Sequence, residues 1–127
     1  MDLNQVTLPV DDMESATAFY RGMGFLQIVD TPHYARFECT EGNSTFSLSL
    51  ESAPAPHGCV IYFECETLDD LVQDLSARGY DFEQLPADMS YLWREAILRD
   101  PSGNKIKLYR AGENRLNPPW RVERRSD

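Results

Sequence analysis

Lysine is almost missing from this chain. Of 127 residues only Lys105 and Lys107 are lysine, and both lie in one stretch, "RDPSGNKIKLYRAG" (99–112). Histidine is as scarce, with His33 and His57 alone. The three cysteines, Cys39, Cys59 and Cys65, are odd in number and lack C-x-x-C spacing. They are expected to be reduced, mostly buried thiols, not a disulfide framework or a zinc site. No apolar run approaches the roughly 20 residues that span a bilayer. The opening "MDLNQVTLPV" has no cationic leader with a cleavage site, so a cytoplasmic protein without a membrane partner is expected. An excess of cations is missing too: the net charge is −9, which opposes binding to a nucleic-acid backbone. Neither a Ser–His–Asp or Cys–His arrangement nor a Gly-rich phosphate loop is suggested by spacing, and no catalytic residue is assigned.

What the chain does have is a repeat. "VTLPVDDMESATAFYRGMGF" (6–25) and "IYFECETLDDLVQDLSARGY" (61–80) align without a gap at an offset of 55. Val6, Leu8 and Val10 match Ile61, Phe63 and Cys65, an alternating strand face. Asp12 and Thr67 then stand as N-caps, Thr67 with Asp70 resembling a capping box. Met13, Ala16, Phe19, Tyr20 and Met23 recur at helical spacing, as do Leu68, Leu71, Val72 and Leu75. Gly24 and Gly79 fall where a helix ends with a residue at positive φ. After each helix come three alternating segments, the last two joined at Gly42-Asn43 or Gly103-Asn104, a hairpin signal. The predicted class is α+β: two tandem βαβββ modules, module one 1–51 and module two 59–112, in a single domain 1–112. A Pro/Ala-rich linker (52–58) joins them, and a Pro-Pro-Trp tail (113–127) follows. In that tail Asn114, Arg115, Pro119, Trp120 and Arg121 are expected to cluster around a buried Trp, docked on the sheet or on a second subunit.

"LPVDDMESATAFYRGMGF" and "LRDPSGNKIKLY" resemble the vicinal-oxygen-chelate superfamily, which includes glyoxalase-type lyases, extradiol dioxygenases and bleomycin-resistance proteins. The D-x-x-x-(S/A)-x-x-F-Y-x-x-x-G-F run and the DPxGN hairpin carry the resemblance, which spans roughly residues 3–110. It implies a curved mixed sheet around a cleft, often completed across a homodimer.

Strand parity assigns faces. If Val6, Leu8, Val10, Ile61, Phe63 and Cys65 pack on the helices, then Leu3, Gln5, Thr7, Val60, Tyr62 and Glu64 face away from them, into the cleft. By the same alternation Phe46, Leu48 and Leu50 are inside and Thr45, Ser47 and Ser49 outside. Ile106 and Leu108 are inside; Lys105, Lys107 and Tyr109 face the cleft. The segment "SYLWREA" (90–96) leaves open whether Trp93 or Arg94 sees it. The expected ligand pocket is therefore Gln5, Thr7, Ser47, Ser49, Val60, Tyr62, Lys105, Lys107, Tyr109 and Trp93.

The resemblance implies a divalent ion held by His, Gln or Glu on the first and last strands of both modules, which by register are Gln5, Ser47, Val60 and Lys107. Only Gln5 suits such an ion: Ser47 is a poor neutral ligand, Val60 has no donor, and Lys107 is a cation. A register shift that puts Cys59 in place of Val60 does not repair the set. No metal or other cofactor is expected. Lys107 then has two readings, a stem along the cleft rim with its ammonium in water, or a partner for a ligand carboxylate or oxyanion, or a titrating group if desolvated. Tyr62 and Tyr109 read either as stacking surface or as strand packing. His33 and His57 read as loop residues, and Asp11, Asp12, Glu14 and Asp69 as helix-start acids. Two functions follow from the resemblance. One is a small cytoplasmic, homodimeric protein holding a small organic ligand without the metal. The other is a lyase, isomerase or dioxygenase whose chemistry has moved to Lys107 or to a metal on Glu64, Glu51 or His33.

Overall fold

The computed structural model describes residues 3–52 and 59–125. The linker assignment and His57 fall almost wholly outside the described residues. Each module folds as the repeat predicts. The first runs β1 (Gln5–Val10), α1 (Met13–Gly22), β2 (Leu26–Asp30), β3 (Tyr34–Glu38) and β4 (Thr45–Leu50). The second runs β5 (Val60–Glu64), α2 (Leu68–Ala77), β6 (Phe82–Asp88), β7 (Arg94–Arg99) and β8 (Lys105–Arg110), before a 3-10 turn (Gly112–Arg115). Each module makes its own four-stranded sheet, ordered β1-β4-β3-β2 and β5-β8-β7-β6. β1 pairs parallel to β4, with Thr7 beside Ser47, while the β2–β3 and β3–β4 pairs are antiparallel. A parallel neighbour needs a long crossover, and the helix and two strands between β1 and β4 provide it.

The chain forms two compact units: Met1–Cys59 with Arg99–Lys105, and Val60–Leu98 with Ile106–Asp127. In the first, α1 begins at Asp12, whose carboxylate accepts from the Ser15 amide and whose backbone is extended. The helix ends at Met23, and Gly24 takes φ +106°, a conformation that a Cβ would strain. Tyr20, Phe37 and Phe46 form the core; Phe37 and Phe46 stack at 5.2 Å, and Tyr20 meets Phe46 edge-on at 5.0 Å. Burying each such ring contributes about 2–3 kcal/mol.

The DPSGN turn belongs to this first unit, and its acid is the reason. Asp100 is buried, and its carboxylate accepts the Tyr20 hydroxyl at 2.8 Å, the Asn104 side-chain amide at 2.8 Å and the backbone amides of Ser102 and Asn104. Asn104 also donates to the Pro9 carbonyl, and Ser102 exchanges bonds with Asp11. Burial first, then the charge and hydrogen bond of Asp100, push the Tyr20 phenol far above its ordinary value. The acid and amide of the DPxGN motif are thus structural fasteners holding a hairpin tip against α1 and the end of β1.

Several local expectations need correction. Thr67 stands at the N-cap of α2 but makes no capping hydrogen bond through its side chain; that side chain lies 3.5 Å from the Cys65 thiol instead. No cysteine is buried: Cys39 and Cys65 are half-buried and Cys59 is exposed. Val6 opens the apolar face of β1 but is 38% exposed, so the packed face begins at Leu8. Trp120 is 56% exposed, not buried, because the chain after the 3-10 turn lies open.

Candidate functional site

In the first unit the alternation on β4 and β3 sends Phe46, Leu48, Ala35 and Phe37 into the core. That leaves Thr45, Ser47, Ser49, Tyr34 and Arg36 on the opposite face. In register, Thr7, Ser47 and Arg36 lie side by side across three strands, and Gln5, Thr45 and Glu38 form the next row. A directional network runs over them. The Thr45 hydroxyl donates to Gln5 Oε1 in a short hydrogen bond. Gln5 Nε2 donates to the Val6 carbonyl at 3.0 Å and to Ser47 Oγ at 2.7 Å. Ser47 lies 2.6 Å from the Tyr34 hydroxyl, and that oxygen also accepts Arg36 Nε–H at 3.1 Å and Nη2–H at 2.9 Å. The hydrogen bond shared with Ser47 lowers the Tyr34 pKa most; burial opposes it, and Arg36 adds to the lowering.

In the second unit Ala96, Leu98, Ile106 and Leu108 are fully buried on the side of Leu68, Val72 and Leu75 of α2. Arg94 shares the parity of Ala96 and reaches Asp69 at the start of α2 with two bonds of 2.9 and 3.0 Å, and Asp88 with a third. These carboxylates lift its pKa further. The open question about the β7 segment is thereby answered: Arg94 is on the helix side, and Trp93 and Glu95 are on the other.

There Trp93 stacks on Tyr109 at 4.6 Å, and Tyr62 meets both rings edge-on at 6.1 and 5.8 Å. Tyr91 meets Trp93 at 6.0 Å. Lys107 places its ammonium 5.5 Å over the Tyr62 ring and 3.2 Å from Glu95 Oε2. The Glu95 side chain is 1% exposed; Tyr91 donates a short hydrogen bond to Oε1, while Oε2 has the ion pair but no hydrogen bond of good geometry. Burial, then the bond to Glu95 and its charge, push Tyr91 up to about 12. A groove of about 630 Å³ opens beside Trp93, lined also by Met89, Leu92 and the charged Asp88, Arg94, Arg110 and Glu113. At its edge Leu92 takes φ +67°, strained for a branched residue.

Of the sequence-predicted pocket residues, Gln5 and Ser47 come together in the first unit, beside Thr7 and Ser49 on the same sheet face. Tyr62, Lys107, Tyr109 and Trp93 come together in the second. Val60 and Lys105 are half-buried on their strands. Sequence reasoning missed Tyr34, Arg36 and Glu95. Alternation with Ala35 and Phe37, and with Ala96 and Leu98, was the signal that would have found them. Glu64, proposed for a relocated metal, is committed elsewhere: Oε2 accepts the amides of Ala111 and Gly112 at 3.0 Å and anchors the 3-10 turn.

Among the described residues no three His, Cys, Asp or Glu side chains gather as a metal site. The four register positions do not fit a divalent ion either. Gln5 is held by Thr45 and Ser47, Val60 has no donor, and Lys107 supplies a cation neutralised by Glu95.

Residues 2–108 match the family model described as Glyoxalase/Bleomycin resistance protein/Dioxygenase superfamily. No curated protein matches the sequence significantly. Among solved structures, a glyoxalase/bleomycin resistance protein/dioxygenase from Nocardioides is similar at TM-score 0.76 and 20% identity, covering 97% of this chain and 90% of that one. Lactoylglutathione lyase from Agrobacterium tumefaciens gives 0.72 and 20%, over 86% and 92%. A bleomycin-binding protein complexed with bleomycin gives 0.70 and 18%, over 87% and 98%. With a family model matched along most of its length and both βαβββ modules in place, the chain belongs to the Glyoxalase/Bleomycin resistance protein/Dioxygenase superfamily.

Proposed function

We propose that this chain binds a small organic ligand and does so without the superfamily's divalent ion. The observation that carries this reading is the Lys107–Glu95 ion pair set among Tyr62, Trp93, Tyr109 and Tyr91. A cation stands at a register position where metal-using relatives place a ligand, and its charge is already met by a buried carboxylate. The packed aromatic rings around it favour a planar ligand, while the groove that opens on Trp93 is bordered by Asp88, Arg94, Arg110 and Glu113 and does not include Lys107 or Glu95. One structural neighbour holding bleomycin supports ligand capture as a use of this fold. Metal analysis of the purified protein, joined to Trp fluorescence titrations with small aromatic compounds, tests the reading. Ligand-dependent quenching that Trp93→Ala abolishes supports it. A stoichiometric divalent ion lost on Gln5→Ala overturns it.

A second reading, a superfamily enzyme with metal-independent acid–base chemistry, is supported by the contact of a buried carboxylate, an ammonium and a phenol at Glu95, Lys107 and Tyr91. Turnover of a glyoxalase or catechol substrate abolished by Lys107→Ala favours it. We also propose a cytoplasmic homodimer, in line with the superfamily's habit and with exposed Leu3, Leu26 and Ile28 on or beside the edge strands of the first sheet. Among the described residues no helix is long and apolar enough to cross a membrane.

A further inference from the structure

Proton counting on the first unit singles out Tyr34. Gln5 Nε2 is fixed as a donor by the Val6 carbonyl, so Ser47 Oγ accepts from Gln5. Ser47 is completely buried, and the acceptor within reach of its own proton is the Tyr34 oxygen at 2.6 Å. Were Tyr34 the donor in that bond, the Ser47 proton would be buried without a partner, at a cost of about 1–3 kcal/mol. Ser47 therefore donates. With the two N–H groups of Arg36, three donors converge on one phenolic oxygen. Among the described residues the Tyr34 hydroxyl proton is left without an acceptor, on a residue that is only half-buried.

Arg36 is unmatched in the same way. Among the described residues it meets the Tyr34 hydroxyl and ring, no carboxylate pairs with it, and no hydrogen bond engages its Nη1 protons. In a chain of net charge −9 that is a notable vacancy of negative charge. The neighbouring strands add no ionisable group on this face: β1 brings Gln5 and Thr7, and β4 brings Thr45, Ser47 and Ser49. Val29 of β2 is the register partner of Arg36, and Glu38 lies one row along, opposite Thr45.

We propose that Tyr34 and Arg36 form an oxyanion-binding subsite, which takes a carboxylate or similar oxygen of a small ligand between the Tyr34 hydroxyl proton and the free N–H groups of Arg36. Charge-assisted bonds of this kind are the strong ones, and the planar guanidinium is built for a carboxylate. Ser47 and Gln5 act as positioning residues that keep the phenol oxygen saturated with donors, so that its proton points outward. The subsite is built from residues of the first unit alone and does not rest on the ligand reading given for the second.

Acetate is the probe, because it has no ring for that cluster to stack on. In NMR titrations of the full chain, with tyrosine ring carbons and arginine side-chain nitrogens labelled, sodium acetate is compared with sodium chloride at equal ionic strength. Saturable acetate-specific shifts at Tyr34 and Arg36, weakened at least about tenfold in Tyr34→Phe and in Arg36→Met, support the subsite. Absence of such shifts in the unmutated chain overturns it, and that measurement needs no variant to fold. Equal acetate binding by the chain and both variants overturns it as well. A failed aromatic titration with a positive acetate result would sink only the proposal for the second unit.

Discussion

Lys107 and Glu95 meet at 3.2 Å from neighbouring strands, and the carboxylate of the pair is 1% exposed. An ion pair this deep is not a strong source of stability, since desolvation offsets most of its attraction. Breaking one side of it is a different matter, because the remaining charge is stranded.

Lys107→Met should therefore cost about 3 kcal/mol in denaturant unfolding. The double variant Lys107→Met/Glu95→Gln should recover most of that loss, as it leaves no lone buried charge. If the double variant is as unstable as the single one, the pair is not the cause.

Asp100 gathers four donors in the first unit, two of them backbone amides of its own turn. Tyr20→Phe should cost about 1.5–3 kcal/mol, the usual value of a hydrogen bond to a charged group. Asp100→Ala should cost more, since it removes all four of these hydrogen bonds, including those of the buried Asn104. Thermal denaturation of both variants checks the order.

The tyrosines should titrate in separate steps. Tyr34 is held below the ordinary value near 10, Tyr91 is pushed up to about 12, and Tyr20 lies higher still. A group whose folded pKa is raised contributes stability that is complete below its unfolded pKa and lost as pH climbs towards the folded one. The fold should thus weaken from about pH 10 upward as Tyr91 and Tyr20 resist ionising while the unfolded chain does not. Tyr34 acts with the opposite sign, its contribution present above pH 10 and lost as pH falls through its lowered pKa. Phenolate absorbance against pH, with Tyr34→Phe and Tyr91→Phe deleting the first and a late component, is the measurement.

Glu64 anchors the 3-10 turn through the amides of Ala111 and Gly112, and Arg115 lies 3.7 Å from its other oxygen. Glu64→Ala should leave the sheet intact but loosen the chain beyond it. Limited trypsin digestion after Arg115 and Arg121 should quicken severalfold; an unchanged cutting rate would show that the turn holds without its anchor.

Much of this was legible in the residues. Alternation over 6–10 and 61–65, helical spacing after Asp12 and Thr67, and Gly24 and Gly79 at the helix ends lead to the observed elements, since each is a local effect of period, cap and φ. The capping box at Thr67 failed because a cap hydrogen bond depends on side-chain geometry as well as spacing. Trp120 failed because an aromatic in a Pro-rich tail does not by itself say what would cover it. Of the expected pocket residues, Lys107, Tyr62, Tyr109 and Trp93 gather in the second unit and Gln5 joins Ser47 in the first, while their neighbours Glu95, Tyr34 and Arg36 were passed over.

The amino-acid sequence by itself determined the two βαβββ modules, the faces of most strands and the poverty of metal donors at Gln5, Ser47, Val60 and Lys107. These follow from periodicity and residue chemistry, which need no long-range information. Only the tertiary structure decided what those side chains do. Lys107 is neutralised by Glu95, Asp100 is tied to Tyr20 across 80 positions, and Tyr34 collects its donors from Arg36 and Ser47. Partners distant in sequence, or on different strands, are chosen by sheet register and burial, and no local pattern encodes that choice.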